Sequence, residues 1–448
     1  MNYDEFKNNV IETCNELGIK DYELYYSNSE STSISVFAHE IKSFSSSEAG
    51  GLCFRCIYNG KMGYASTQAL DKENARRIVL RAIDNASVLE SEEEVFLAEG
   101  GQTYEKLEDR SYPLPSTDDL INTALQTQEK IYKANKLVVD GSETQTLKEN
   151  NTIAIYNSKG LDLKQNTVSA GVVVEAVVSN GEEMANSYEL KLAQLDKIDI
   201  DALIKKSTDD ACQKLGGEVA PTGQYPVIFN SDAMSDLLDT YSVIFSSENA
   251  QRGLSRLNDK EGEMIASEIV TIVDDPFNKD NPEPMVFDAE GCPTRKKNVI
   301  ENGKLTTLLY NMKTAAVAKK QTTGNAYKAG YSSPVSISPF SMYIESGKNT
   351  EEELFAKAQN GVYITSLGGL HAGANPVSGD FSLQSSGFMI ENGKKTKFVK
   401  SFTVAGNFYD VLKNITMVAD NCTFPMALGA TAFGSPSVLV EGLAIAGK

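Results

Sequence analysis

The residues best equipped for chemistry cluster in one late stretch, Gly368-Gly-Leu-His-Ala-Gly-Ala-Asn-Pro-Val-Ser-Gly-Asp-Phe-Ser382. Within it His371, Asn375, Ser378, Asp380 and Ser382 offer an imidazole, an amide, two hydroxyls and a carboxylate. The glycines permit close backbone approach, and Pro376 stiffens the turn. Such a loop can clasp an extended peptide. It can equally be a turn whose polar side chains satisfy its own backbone, and both readings stand on composition alone.

Other reactive residues are less well placed. Cys53-Phe-Arg-Cys56 is a CxxC, but it falls in a strand-like run, where residues three apart point to opposite faces. Small buried apolar side chains explain it better than a redox pair or metal site. His39-Glu40 opens like a metalloprotease helix, yet Ile41, Lys42, Ser43 and Phe44 follow and no second histidine does. It reads as a polar strand edge. His39 and His371 are the only histidines, too few for a zinc site built on several imidazoles. Ser31, Ser33 and Ser35 alternate with Thr32, Ile34 and Val36, the pattern of a strand with one solvent-facing side. Asp209-Asp210 and Asp274-Asp275 read as solvated acidic pairs. GxGxxG, GxxxxGK[ST], EF-hand and GxSxG patterns are absent from the sequence.

The elements that position these residues follow from periodicity. Tyr3, Phe6, Val10, Cys14 and Leu17 predict a first helix ending at Gly18. Strands are expected at Tyr22–Tyr26, Thr32–Phe44 and Leu52–Tyr58, with a turn at Glu48-Ala-Gly-Gly51, and Asp71 caps a second helix. An acidic, irregular connector spans Glu90–Pro115. A similar order then recurs: a helix from Ser116 or Thr117, strand-like runs at Leu137–Ser142, Thr152–Asn157, Val168–Ser179 and Met184–Leu192, and a helix capped by Asp199. After Pro221-Thr-Gly223 the texture turns to hairpins, with Asn302-Gly303 and Asn392-Gly393 as type I′ signals. Helices are expected at Ala233–Phe245, Met312–Lys320, Glu351–Ala358 and Asn407–Asn414. The expected fold is α+β: an N-terminal helix and mixed-sheet domain over residues 1–220, in two sub-units of about 1–90 and 116–217, then a domain rich in antiparallel sheet over 221–448.

Composition narrows the function. The 448 residues carry 42 Lys and Arg against 61 Asp and Glu, a net charge of −19 that repels phosphate backbones and anionic membranes. Neither nucleic acid nor membrane is an expected partner. Met1–Gly18 lacks the basic start and apolar centre of a signal peptide, and the apolar runs are too short to span a bilayer. With six scattered cysteines, a reducing cytoplasm is the expected location.

Several ordered motifs carry a family resemblance across nearly the whole chain. They are Ser31-Thr-Ser-Ile34, Gly50-Gly51, Gly63-Tyr-Ala-Ser-Thr67, Glu263-Met-Ile-Ala-Ser-Glu-Ile-Val-Thr-Ile-Val-Asp-Asp275 and Asp288-Ala-Glu-Gly-Cys-Pro-Thr294. Further on come Ile300-Glu-Asn-Gly303, Thr323-Gly-Asn-Ala326, Asn375-Pro-Val-Ser-Gly-Asp-Phe-Ser382, Gly387-Phe-Met-Ile-Glu-Asn-Gly393 and Ala405-Gly-Asn407. The sequence resembles the TldD/PmbA family, also called TldD/TldE and historically labelled modulators of DNA gyrase. The acidic composition offers no support for a gyrase or DNA contact. The resemblance implies a cytoplasmic zinc peptidase of two related subunits that takes extended peptides into a closed cavity. In that family one subunit type holds the metal, through an HExxxH helix and a later cysteine.

Here the matching helix is Leu237-Leu-Asp-Thr-Tyr-Ser-Val-Ile244, with Asp239 and Ile244 at the histidine positions and Thr240 at the glutamate position. Cys422 falls before the expected ligand cysteine, and the glycine-rich cysteine motif is missing after it. The resemblance therefore points to the PmbA/TldE branch, a chain with no catalytic residues and no metal of its own. Zinc is expected in a TldD-like partner, and the loop from His371 to Ser382 is expected to help bind peptide. The alternative is a non-enzymatic peptide-binding or regulatory protein that pairs with a second copy of itself. A stand-alone peptidase has only Ser378 or Cys422 as nucleophile, with no base placed beside either.

Overall fold

The computed structural model describes residues 1–90, 93–107, 111–425 and 431–448. Asn2 and Glu5 form a capping box at the start of α1 (Tyr3–Leu17), and Gly18 closes it with φ of 70°. β1 (Asp21–Phe37), β2 (Glu40–Tyr58) and β3 (Lys61–Thr67) follow, then α2 (Lys72–Ser87), capped by Asp71. The order repeats with α3 (Thr117–Ala134), whose N-cap is Ser116, then β4 (Glu143–Asn157), β5 (Asp162–Ser179), β6 (Met184–Leu192) and α4 (Ile200–Gln213). The strands join in one antiparallel sheet of order β3-β2-β1-β4-β5-β6. Each half thus contributes three strands in mirrored order about the β1–β4 pair.

Three expectations in this half are corrected. Thr32–Phe44 is not one strand: the chain reverses at Ala38-His39, both with positive φ (48° and 64°), as a two-residue hairpin turn requires. No Asn-Gly pair marks that turn in the sequence, and His39-Glu40 lies at a hairpin tip. Conversely, Gly50-Gly51 is no turn but lies inside β2. A Cβ on Gly50 would stand 2.2 Å from the Asn28 Oδ1, and one on Gly51 would stand 2.7 Å from the Tyr331 ring. Leu137–Ser142 is not a strand either; it holds only the bridge from Val138 to Val178. The connector is irregular, but Leu97 and Ala98 are buried and the Tyr104 hydroxyl donates to the Gly291 carbonyl (2.8 Å). Its residues 91–92 and 108–110 lie outside the described residues.

The second half begins with β7 (Glu218–Val219) and β8 (Gly223–Phe229), then α5 (Ser231–Tyr241) and α6 (Ser247–Gln251). It continues with β9 (Ile272–Asp274), β10 (Lys297–Glu301), β11 (Lys304–Leu305) and α7 (Met312–Ala318). Next come β12 (Ala326–Tyr327), β13 (Ser336–Ile337), β14 (Ser341–Ile344), α8 (Glu351–Ala358), β15 (Gly361–Gly368) and the single turn α9 (Leu370–Gly373). β16 (Asp380–Glu391), β17 (Lys394–Asn407), α10 (Phe408–Lys413), β18 (Ile415–Val418), β19 (Ala432–Gly434) and β20 (Val438–Ala446) complete it. Asn302-Gly303 and Asn392-Gly393 are hairpin turns with all four φ positive. Pairing of β20 with both β8 and β17 closes β20-β8-β15-β16-β17 into a small barrel. The largest apolar core includes Phe229, Leu237, Tyr241, Ile244, Phe402 and Phe408 from the barrel and α5. The fold is α+β, an antiparallel sheet with helices followed by a β-rich domain.

Asp274 is a further correction. It is fully buried, pairs with Lys297 (2.9 Å), accepts from the Asn325 amide (2.8 Å) and takes the Phe340 and Ser341 backbone N–H groups. It ties β9, β10 and β14 together instead of facing solvent.

Candidate functional site

The helix flagged by the sequence is α5, whose Asn230 side chain caps it by accepting from the Ala233 N–H. Ile244 lies in the 3-10 turn just beyond, 1% exposed within the apolar core. The Thr240 hydroxyl donates to the Asp236 carbonyl (2.8 Å). Asp239 is exposed, and partial desolvation shifts its carboxyl upward. A carboxylate, a committed hydroxyl and a buried alkyl group do not make a tetrahedral zinc set. Among the described residues no three His, Cys, Asp or Glu side chains stand close enough to hold a metal ion. Cys422 is half-buried, its thiol pushed up to about 12 by burial and by Asp280. Residues 426–430, which follow Cys422, lie outside the described residues.

One turn along α5, Asp232, Asp236 and Asp239 share a face at spacings of four and three. Burial and the charges of Asp232 and Asp239 push Asp236 up to about 6. The Tyr188 hydroxyl of β6 is shifted upward by burial and by Asp236 and Asp232, so the edge strand of the N-terminal sheet looks onto this face. The i, i+4, i+7 spacing was legible in the sequence; its apposition to β6 was not.

The glycine-rich loop packs directly on α5. The Tyr241 hydroxyl donates to the Asp380 carbonyl (2.8 Å), and its ring stacks on Phe408 at 4.5 Å. Asn375 Oδ1 accepts from the Val377 and Ser378 N–H groups, and the Ser378 hydroxyl accepts from the Asp380 N–H. The Asp380 carboxylate accepts from the Asn407 amide (2.8 Å), a bond that holds its pKa below the usual carboxylate range. Three of the five singled-out residues thus brace the loop itself. His371, on α9, and Ser382, on β16, are left exposed. The structure brings the α5 positions and this loop together through Tyr241.

Sequence reasoning missed a buried charge cluster where the N-terminal sheet meets the second half. Arg55 of β2 pairs with Glu23 of β1 (2.7 Å). Burial opposes charge on Arg55, but Glu23, Tyr64 and Glu290 keep it ionised. Asp288 accepts N–H groups from Glu290, Cys292 and Ala326, while burial and Glu290 raise its pKa. Glu290 accepts the Met312 N–H at the start of α7 (2.8 Å). Cys53 joins the apolar layer beside this cluster with Phe287, Ala289 and Cys292, whereas Cys56 packs on the opposite face against the first two helices. The motif Asp288-Ala-Glu-Gly-Cys-Pro-Thr294 was legible, but its pairing with Arg55, from a separate part of the chain, was not. No helix of the described residues is long and apolar enough to cross a membrane.

With this geometry established, comparison with known proteins is specific. Residues 22–86 match the PmbA/TldA metallopeptidase domain 1, residues 111–215 its central domain and residues 222–447 its C-terminal domain. A metalloprotease from Methanothermobacter thermautotrophicus is 26% identical over 92% of this chain and 90% of its own length. The crystal structure of a candidate modulator of a DNA gyrase from Thermotoga maritima superposes with a TM-score of 0.90 at 28% identity, covering 99% of this chain and 100% of that one. That of TldE from Thermococcus kodakarensis superposes with a TM-score of 0.87 at 24% identity, covering 98% and 99%. The chain belongs to the PmbA/TldD metallopeptidase family.

Proposed function

We propose that this chain is the metal-free subunit of a TldD/TldE-type zinc peptidase, working in the cytoplasm and helping to bind extended peptides that a TldD-like partner cleaves. The observation that carries the reading is the chemistry of the α5 positions. Ile244 has no donor atom and lies in the core, Thr240 is committed to its own helix, and Asp239 stands alone as a ligand. Zinc with one carboxylate and water is far from the closed set a tight site needs. The exposed His371 and Ser382 beside α5 are the free polar groups that face a peptide, while Asn375, Ser378 and Asp380 keep the loop in shape.

A docking edge supports the partner. β3 pairs with β2 only from Leu52 to Tyr58, so Glu40–Ala49 is an open sheet edge of ten consecutive exposed residues. Its backbone donors and acceptors form a template for another strand. The same edge serves the second reading, a homodimeric binding or regulatory protein without peptidase activity. Mixing the purified chain with a TldD-like subunit separates them. The proposal expects co-migration in size-exclusion chromatography and a change in peptidase activity; failure of both, with the chain self-associating, favours the second reading.

A further inference from the structure

A cavity of about 460 Å³ lies between the N-terminal sheet and the second half of the chain, and none of its lining residues belongs to α5 or to the His371–Ser382 loop. Its floor is one face of β1 and β4; its roof includes Met285, Phe287 and Tyr331. Gly51 lets the Tyr331 ring lie against the sheet, because any side chain there would strike it.

The two ends of this cavity carry opposite charges that the protein does not neutralise. At one end Lys328 is 9% exposed. Its ammonium sits 5.2 Å from the centroid of the Tyr25 ring and donates to the Ser333 carbonyl (2.5 Å), with no carboxylate at ion-pair distance among the described residues. Burial lowers its pKa, the sign of a cation short of counter-charge. At the other end Glu283 accepts from the Asn151 amide (2.7 Å), with Glu149 close enough to raise its pKa further after burial has done so. Neither carboxylate has a cationic partner among the described residues. The strand register gives the spacing. Tyr25 pairs with Ile155 and Ser29 with Asn151, so the two ends are four residues apart along one face. That is roughly 13 Å.

A molecule with an anion and a cation separated by that length, and an apolar body between them, matches these walls. An extended peptide spans about 3.3–3.6 Å per residue, so three or four residues reach from end to end. We propose that the cavity binds a short free peptide of three or four residues, its C-terminal carboxylate at Lys328, its N-terminal ammonium at Glu283 and Glu149, and an apolar side chain against Phe287, Met285 and Tyr331. The inference concerns this chain alone and goes beyond the partner reading. A peptidase subunit with such a site senses or retains short products while the longer substrate lies elsewhere.

Isothermal titration calorimetry of the full chain with free Ala-Phe-Ala, its N-acetyl form and its C-terminal amide tests this. The expected result is binding of the free tripeptide and at least tenfold weaker binding of each capped form. Lys328→Gln then binds the free and amidated forms alike, and the double variant Glu149→Gln/Glu283→Gln, which clears both carboxylates, binds the free and acetylated forms alike. Circular dichroism checks that each variant is folded; the double variant, at two half-buried side chains, decides the matter alone if Lys328→Gln unfolds. No uptake of Ala-Phe-Ala at millimolar concentration, no effect of the caps, or variants that respond to the caps as the native chain does would overturn the proposal. No partner is present in this titration, so its failure is separate from failure of the mixing experiment.

Discussion

At the scale of single residues, the fully buried Asp274 holds three strands of the second half together through Lys297, Asn325 and two backbone N–H groups. Asp274 reads locally as half of a solvated acidic pair, because its partners Lys297 and Ser341 are 23 and 67 residues away. Removing it leaves the buried Lys297 ammonium without its counter-ion, an error that costs about 3–5 kcal/mol. Asp274→Ala is expected to lower the unfolding free energy by that amount in urea titrations. Cys53 and Cys56, by contrast, were legible, since period-two alternation placed them on opposite faces and the two cores confirm it. Asp236 makes a pH prediction. Its folded pKa of about 6 lies above its unfolded value, so the folded state holds a proton that the unfolded state has lost as pH rises from about 4 to 6. Stability from this group therefore falls across that window. Asp236→Asn is expected to raise stability by about 1 kcal/mol at pH 7, the figure being reduced for solvent screening, and to change little at pH 4. Thermal melts of both proteins at the two pH values check it.

At the scale of elements, caps and periodicity were reliable wherever the signal was local. The boundaries at Asp71, Ser116 and Asp199 are set by side chains that bond the first turn of their helices. Glu351–Ala358 and Met184–Leu192 form as the pattern predicts. At Ala38-His39 and Gly50-Gly51 turn chemistry was inferred from residue type; the first is a turn without turn-forming residues, and the second is held inside a strand where Asn28 and Tyr331 approach too closely for a side chain. Glycine inside an element marks close approach here. At Gly63 of β3 a Cβ would lie 1.9 Å from the Ala82 carbonyl of α2, a backbone atom that cannot step aside. Gly63→Ala is expected to cost about 1–3 kcal/mol by forcing α2 off the sheet. Chemical denaturation measures the loss, and new mobility in α2 by hydrogen exchange locates it.

At the scale of the whole molecule, the chain exposes 20297 Å², against about 16,600 Å² expected for a compact monomer of this length. The long β1–β2 hairpin is among the exposed parts of the chain: its outer strand edge is open and carries Ile41 and Phe44 half-exposed. An edge of that length invites a partner strand. Ser46→Pro removes a backbone donor that points out from the edge, since the register leaves the odd-numbered residues of this stretch bonded to β1 and the even-numbered ones facing outward, and Phe44→Lys places charge on it. Both are expected to weaken association with a TldD-like subunit at least tenfold in analytical ultracentrifugation, with circular dichroism unchanged. The replacement of metal-binding residue types at the α5 positions was legible in the sequence, but the open edge was not, because it exists only once the sheet order is known. The most direct measurement is the zinc content of each subunit after the complex is purified and then separated. The account predicts one zinc per pair, all of it on the partner and none on this chain. One tightly held zinc per copy of this chain, at the Asp239 helix, would contradict it.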